Sequence, residues 1–138
     1  MLRVAALCLA YGVATLAAAA PSIELREGWV RAGPPSAQVL AGYGRLHNGG
    51  DRSIVLTGAS SPDFARTSLH EMSMADGVMK MRELPRIEIA AHSDVALEQG
   101  GRHLMLFEPK RALKAGDHVR IELALEDGGT VEATLDVR

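Results

Sequence analysis

From residue 22 onwards, apolar and polar residues alternate with a period of two, in short runs broken by glycine, proline, asparagine or aspartate. Successive side chains of an extended chain point to opposite faces, so such runs read as strands with one face in a core and the other in water. No stretch carries a convincing helical apolar period. The pattern is cleanest at the end of the chain. Residues 118–125 (His-Val-Arg-Ile-Glu-Leu-Ala-Leu) and 131–137 flank Glu126-Asp-Gly-Gly129, which predicts a closing antiparallel hairpin.

The same reading places a strand over 22–31, with Ile23 and Leu25 on one face, ended by Gly-Pro-Pro-Ser at 33–36. A second strand over 39–47 has Leu40, Gly42, Gly44 and Leu46 on one face and Val39, Ala41, Tyr43 and Arg45 on the other. Asn48-Gly49-Gly50-Asp51 predicts a hairpin into 53–59. Further strands follow over 64–72 and 78–84, around the turn Ala75-Asp76-Gly77, then over 87–90, 95–98 and 102–107. Residues 109–116 read as a connector with a short helical turn, and Trp29 and Tyr43 as core residues. Short strands at this spacing predict an all-β, Greek-key β-sandwich or barrel. At 138 residues the chain makes one domain, large enough to bury a core without disulfides.

The first twenty residues stand outside this pattern. Arg3 gives a short positive segment, residues 4–16 an apolar one, and Ala17 to Ala20 small residues suited to cleavage. This is the layout of a signal peptide over 1–20, with the cut expected after Ala19 because Pro21 disfavours cleavage directly before it. A membrane anchor is the weaker reading, since Tyr11 and Gly12 break an apolar run barely long enough to span a bilayer. The only cysteine, Cys8, lies inside the apolar segment with no lipobox before it and leaves with the signal. The exported chain, 21–138, then has no disulfide, thiolate zinc site, iron–sulfur cluster or Cys-centred blue-copper site. A net charge of −2 without like-charge runs gives no basis for binding nucleic acid or an anionic membrane.

Apart from the initiator, every methionine falls between His70 and Met105: Met72, Met74, Met79, Met81 and Met105. Two histidines each carry a methionine two residues on, at His70-Glu-Met72 and His103-Leu-Met105. Strand periodicity puts each histidine on the same face as its methionine, and Met79 with Met81. Any one of these methionines, taken alone, is a core gap-filler, and any one histidine a hydrogen-bonded strand residue. Their repetition points instead to a soft, neutral imidazole–thioether set, which suits Cu(I) better than zinc or Cu(II).

The spacing His70-x10-Met81-x21-His103-x-Met105 resembles the signature of the periplasmic PCu(A)C copper chaperones, which supply the CuA centre of cytochrome c oxidase. Trp29-Val-Arg-Ala, Ala41-Gly-Tyr, Leu69-His-Glu-Met, Asp76-Gly-Val-Met-Lys-Met-Arg, Gly100-Gly-Arg-His-Leu-Met-Leu and Leu113-Lys-Ala-Gly-Asp extend the similarity over the exported chain. Phe107-Glu108-Pro109 departs from the more apolar run expected after the ligand strand, and without the His/Met-rich tail of some relatives the sequence to Arg138 gives no expectation of a second copper site. The resemblance implies a cupredoxin-like fold binding one Cu(I) through His70, Met81, His103 and Met105. Met72, Met74 and Met79 match no ligand position and stand as auxiliary thioethers or packing residues. Glu71 reads as a solvated strand residue, and His47, His92 and His118 as lying away from the site.

These readings converge on a periplasmic, monomeric Cu(I) carrier, without a membrane anchor once the signal is removed. It would pass its ion by ligand exchange to cytochrome oxidase subunit II or a thioredoxin-like assembly factor, the recipients the resemblance implies. Copper storage or tolerance is the alternative, and a copper-dependent redox enzyme a more remote one. No nucleophile–base–acid constellation can be argued from the spacings, so the chain is not expected to be an enzyme.

Overall fold

The computed structural model describes residues 12–14 and 22–138, so the expected signal peptide and Cys8 lie outside its described residues. Ten strands follow in order: β1 (Ile23–Val30), β2 (Val39–Asn48), β3 (Ile54–Ser60), β4 (Phe64–Ala75), β5 (Val78–Glu83), β6 (Ile87–Ile89), β7 (Ser93–Leu97), β8 (Arg102–Pro109), β9 (His118–Leu125) and β10 (Thr130–Val137). No helix occurs among the described residues, and the connector after β8 contains turns where a helical turn was expected.

Seven strands run β4-β8-β2-β1-β10-β9-β3, and a pairing of Ala59 with Thr67 brings β3 back to β4. The sheet therefore closes into a seven-stranded barrel, which removes the two free edges an open sheet would leave. Strand β5 is appended to β4, β6 to β3, and β7 to the second half of β2, whose first half pairs with β8. The all-β expectation holds, in its barrel form.

Period two fills the interior. Val119, Ile121 and Leu123 of β9 point inward, as do Leu104 and Leu106 of β8, Leu69 of β4, Leu46 of β2 and Leu56 of β3. The β9–β10 hairpin forms as expected, pairing Val131 with Leu123 and Leu135 with Val119.

The hairpin expected at Asn48–Asp51 does not form, since β2 and β3 are not neighbours. Asn48 is fully buried instead. Its amide donates to the carbonyls of Arg52 (2.7 Å), Ile89 (3.0 Å) and Ala90 (3.2 Å), while its Oδ1 accepts from the Gly50 amide at 3.0 Å. A residue that reads as a turn former is here a bolt between two loops, a role its short bidentate amide fills equally well.

A second departure lies in β1. The register slips between Arg26 and Trp29, with Glu27 in the left-handed region at φ 52°. The bulge fits against Gly44, where a Cβ would stand 3.0 Å from the Arg26 carbonyl oxygen. One inserted residue reverses the parity of everything after it. Trp29, which strict alternation groups with Ile23 and Leu25, is turned to the outer face and stacks on Tyr43 with ring centroids 4.8 Å apart. Both rings are half-buried on the outer face, so neither is the core residue it was expected to be.

Candidate metal centre

Asp76 and Gly77 have φ angles of 52° and 76°, the two-residue turn that joins twisted antiparallel strands without splaying them. The turn fixes the register of β4 on β5: Met74 faces Met79, Met72 faces Met81, and His70 faces Glu83. On its other side β4 pairs with β8, so that His70 faces His103 and Ser68 faces Met105. Residues opposite one another share a face. The outer face of β5-β4-β8 therefore carries a column of four levels: Ser68 and Met105, then Glu83, His70 and His103, then Met72 and Met81, then Met74 and Met79.

Two His-x-Met tripeptides thus run antiparallel on adjacent strands with their histidines abreast. Met105 lies beside the pair on one side and Met72 on the other, related by an approximate local twofold between the rings. Met81 is one strand further out, at the level of Met72. The His70 and His103 rings are nearly parallel (26°) with centroids 6.0 Å apart. One ion bonded to both, at about 2 Å per nitrogen, can bridge such a gap. His103 is 6% exposed, covered by His70 and by Tyr43 at 6.5 Å, whereas Met81 is 50% exposed.

Hydrogen bonds leave each imidazole one free nitrogen. His103 Nδ1 lies 3.1 Å from the Gly101 carbonyl, which can only accept, so Nδ1 carries the proton and Nε2 the lone pair. His70 Nε2 is 2.8 Å from Ser68 Oγ, and its Nδ1 is buried without a partner. A buried ring nitrogen with nothing to bond is costly, and a soft cation would satisfy it. Burial, first of all, pushes the His70 pKa below its ordinary value. Glu83 opposes this, while His103 and Arg66 reinforce it. The shift favours the neutral ring, the form a metal ligand takes. Phe107 closes the other side of His70 at 6.3 Å, beneath the Arg66 guanidinium at 4.0 Å.

On the reverse face of the same strands, Glu71 accepts from Arg82 of β5 at 2.8 Å and from Arg102 of β8 at 3.4 Å. Glu71 is thus a tie across the three ligand-bearing strands rather than a solvated residue. The remaining histidines are occupied elsewhere: His47 with Asp94, His92 with Asp51 and His118 with Asp136. Among the described residues no group of three or more His, Cys, Asp or Glu is placed to hold a metal, so a centre here has to draw on thioethers. Sequence reasoning missed Ser68, although it lies two residues before His70 and hence on its face. It also missed Tyr43 as a neighbour of His103, which depends on β2 lying beside β8.

The chain is similar to several known proteins. The family model described as "Putative lipoprotein LpqE-like" matches residues 23–137. A Leifsonia xyli subsp. xyli protein named "Putative lipoprotein Lxx21020" is 29% identical over 120 residues, covering 86% of this chain and 71% of its own. Among solved structures, the Cu(I) form of DR1885 from Deinococcus radiodurans is 34% identical, with 90% of this chain and 83% of that one covered and a TM-score of 0.65. The copper-bound PCuAC domain from PmoF2, at 24% identity, covers 88% of this chain and 96% of its own with a TM-score of 0.70, which shows the shared fold.

Proposed function

The chain belongs to the LpqE-like family, and from that premise we propose that it is an exported copper chaperone that binds one Cu(I) and releases it by ligand exchange. The observation that carries this reading is the pairing of His70 with His103 in register, flanked by thioethers on the same face. His70, His103, Met105 and Met81 are the proposed ligands. Four neutral donors leave the complex with the single charge of Cu(I), whereas a divalent ion is better served by carboxylate or thiolate. The copper-bound state of two structural neighbours supports the choice of metal.

The uneven burial of the donors suits transfer. His103 is enclosed and holds its tautomer, while Met81 lies half-exposed on an appended strand. Cu(I) is d10 and imposes little geometry, so the outer thioether can leave first and a recipient's ligand take its place. No step requires a protein nucleophile or general acid, and the function proposed is carriage rather than catalysis. The proposed setting is the periplasm, consistent with lipoprotein names among the relatives, and the proposed recipient is the CuA centre of cytochrome c oxidase or its assembly factor. Anaerobic titration of Cu(I) against a chromophoric chelator tests the reading. A tight stoichiometry near one, lost in His103→Ala and weakened in Met81→Ala, is expected; affinity unchanged in both variants would refute the site. Copper-dependent turnover of a substrate would favour a redox enzyme instead.

A further inference from the structure

We infer that the tip of the β4–β5 hairpin is a second soft-metal site, an all-thioether station for Cu(I) formed by Met74 and Met79 above Met72 and Met81. Beyond Met72, whose amide donates to the Gly101 carbonyl at 3.1 Å, β4 and β5 continue as a two-stranded ribbon. That hydrogen bond points the Met72 amide away from β5. Counting down from the tight turn gives the same parity: Ala75 and Val78 close the turn, so Met74–Met79 and Met72–Met81 are non-hydrogen-bonded pairs. Such pairs bring Cα atoms to about 4.5 Å and side chains closer than the alternating sites do. Two methionine pairs therefore stack on one face of the ribbon in its closer sites, and their flexible thioether arms can meet over it.

Packing does not account for them. Met74 is 65% exposed, Met81 50% and Met79 46%. A methionine that fills a core is covered, and a contiguous exposed patch of apolar side chains marks a site of interaction. The ribbon also sorts its chemistry by face. Glu71, Lys80 and Arg82 project to the other side, where Arg82 is tied to Glu71. At its two outer levels the thioether face is left with methionine alone, with no cation to repel Cu(I) and no carboxylate to attract a hard ion.

The inference rests on the copper reading of the histidine pair and extends it. Met72 stands two residues from His70 on the same face, so the two sites share a boundary and an ion can move between them one ligand at a time. The more exposed, all-sulfur station at the tip is then the point of loading and release, and the half-enclosed histidine pair the resting site.

Methionine-methyl 13C NMR of the protein, titrated anaerobically with Cu(I) and in parallel with redox-inert Ag(I), tests this. The first equivalent is expected to move the Met105 and Met81 methyl signals, and the second those of Met74 and Met79. The volume-conserving double variant Met74→Leu/Met79→Leu should lose the second equivalent, retain the first, and release copper to a chelator more slowly. In a His70→Ala/His103→Ala variant the Met74 and Met79 shifts should persist; their disappearance would overturn the station as a separate site. Met74 and Met79 signals that stay fixed through two equivalents in the unmodified protein would overturn it outright. Should those signals move while the Met105 methyl stays fixed, the station stands and the histidine-centred reading fails.

Discussion

His70 and His103 face each other across β4 and β8, and each ring is set by a different kind of hydrogen bond. A backbone carbonyl orients His103, whereas a side-chain hydroxyl, Ser68 Oγ, holds His70. The two halves of the site therefore differ in how easily they can be disturbed. Ser68→Ala removes the group bonded to His70 Nε2 and leaves the fold intact, since Ser68 is small and lies on the outer face. Loss of an orienting partner weakens metal binding about 10–100-fold. Chelator competition should show that loss, and 15N chemical shifts should show His70, but not His103, losing its preferred tautomer.

Met72 and Met81 occupy one cross-strand pair at equal height above the histidines. Either thioether can therefore stand in for the other. Met72→Leu and Met81→Leu are each expected to lower Cu(I) affinity only several-fold, and the double variant by more than the product of the two. The excess measures their coupling, as for any pair of groups sharing one partner. Strictly additive losses would show that the two act independently and that neither stands in for the other.

Asn48→Ala tests the barrel rather than the site. The substitution strips hydrogen bonds from buried carbonyls and from the Gly50 amide. Leaving such groups unpaired costs about 1–3 kcal/mol each, so a total loss of at least about 3 kcal/mol is expected. Urea denaturation should show that loss through a shifted midpoint with unchanged slope, while copper affinity of the folded protein stays the same.

Asp117 gives the protein an acid-sensitive tie outside the site. The Lys114 backbone amide, donating to Asp117 Oδ2 at 3.0 Å, holds its carboxyl below the ordinary value of 3.8, with help from the charges of Lys114 and Arg111. A depressed folded-state pKa stabilises the fold at pH above the unfolded value, and that stability is lost as pH falls from about 3.8 through the lower folded value. In Asp117→Asn the acid limb of the stability curve should flatten in that window, with no change in slope near neutrality. An unchanged acid limb would count against the tie.

Much of the molecule was written locally. The strands over 39–47, 102–107 and 118–125 could be read from alternation alone, within two residues of their ends, because side-chain direction in an extended chain depends on parity and nothing else. The turn at Ala75-Asp76-Gly77 was equally legible, but the facing of Met72 by Met81 was not, since it depends on the turn having just two residues between the paired strands. The two His-x-Met tripeptides declared a soft-metal chemistry before any partner strand was known. Tertiary structure decided which strands meet. That His70 faces His103, and not a residue two places along, follows from where β8 docks on β4, a pairing across more than thirty residues of chain set by Leu69, Leu104 and Leu106 entering one core. The same non-local fit separated β2 from β3, turning Asn48 from an expected hairpin residue into a buried bolt, and placed the bulge that carries Trp29 to the outer face. Parity is a property of each strand; register between distant strands is settled only when the barrel closes and its interior is filled.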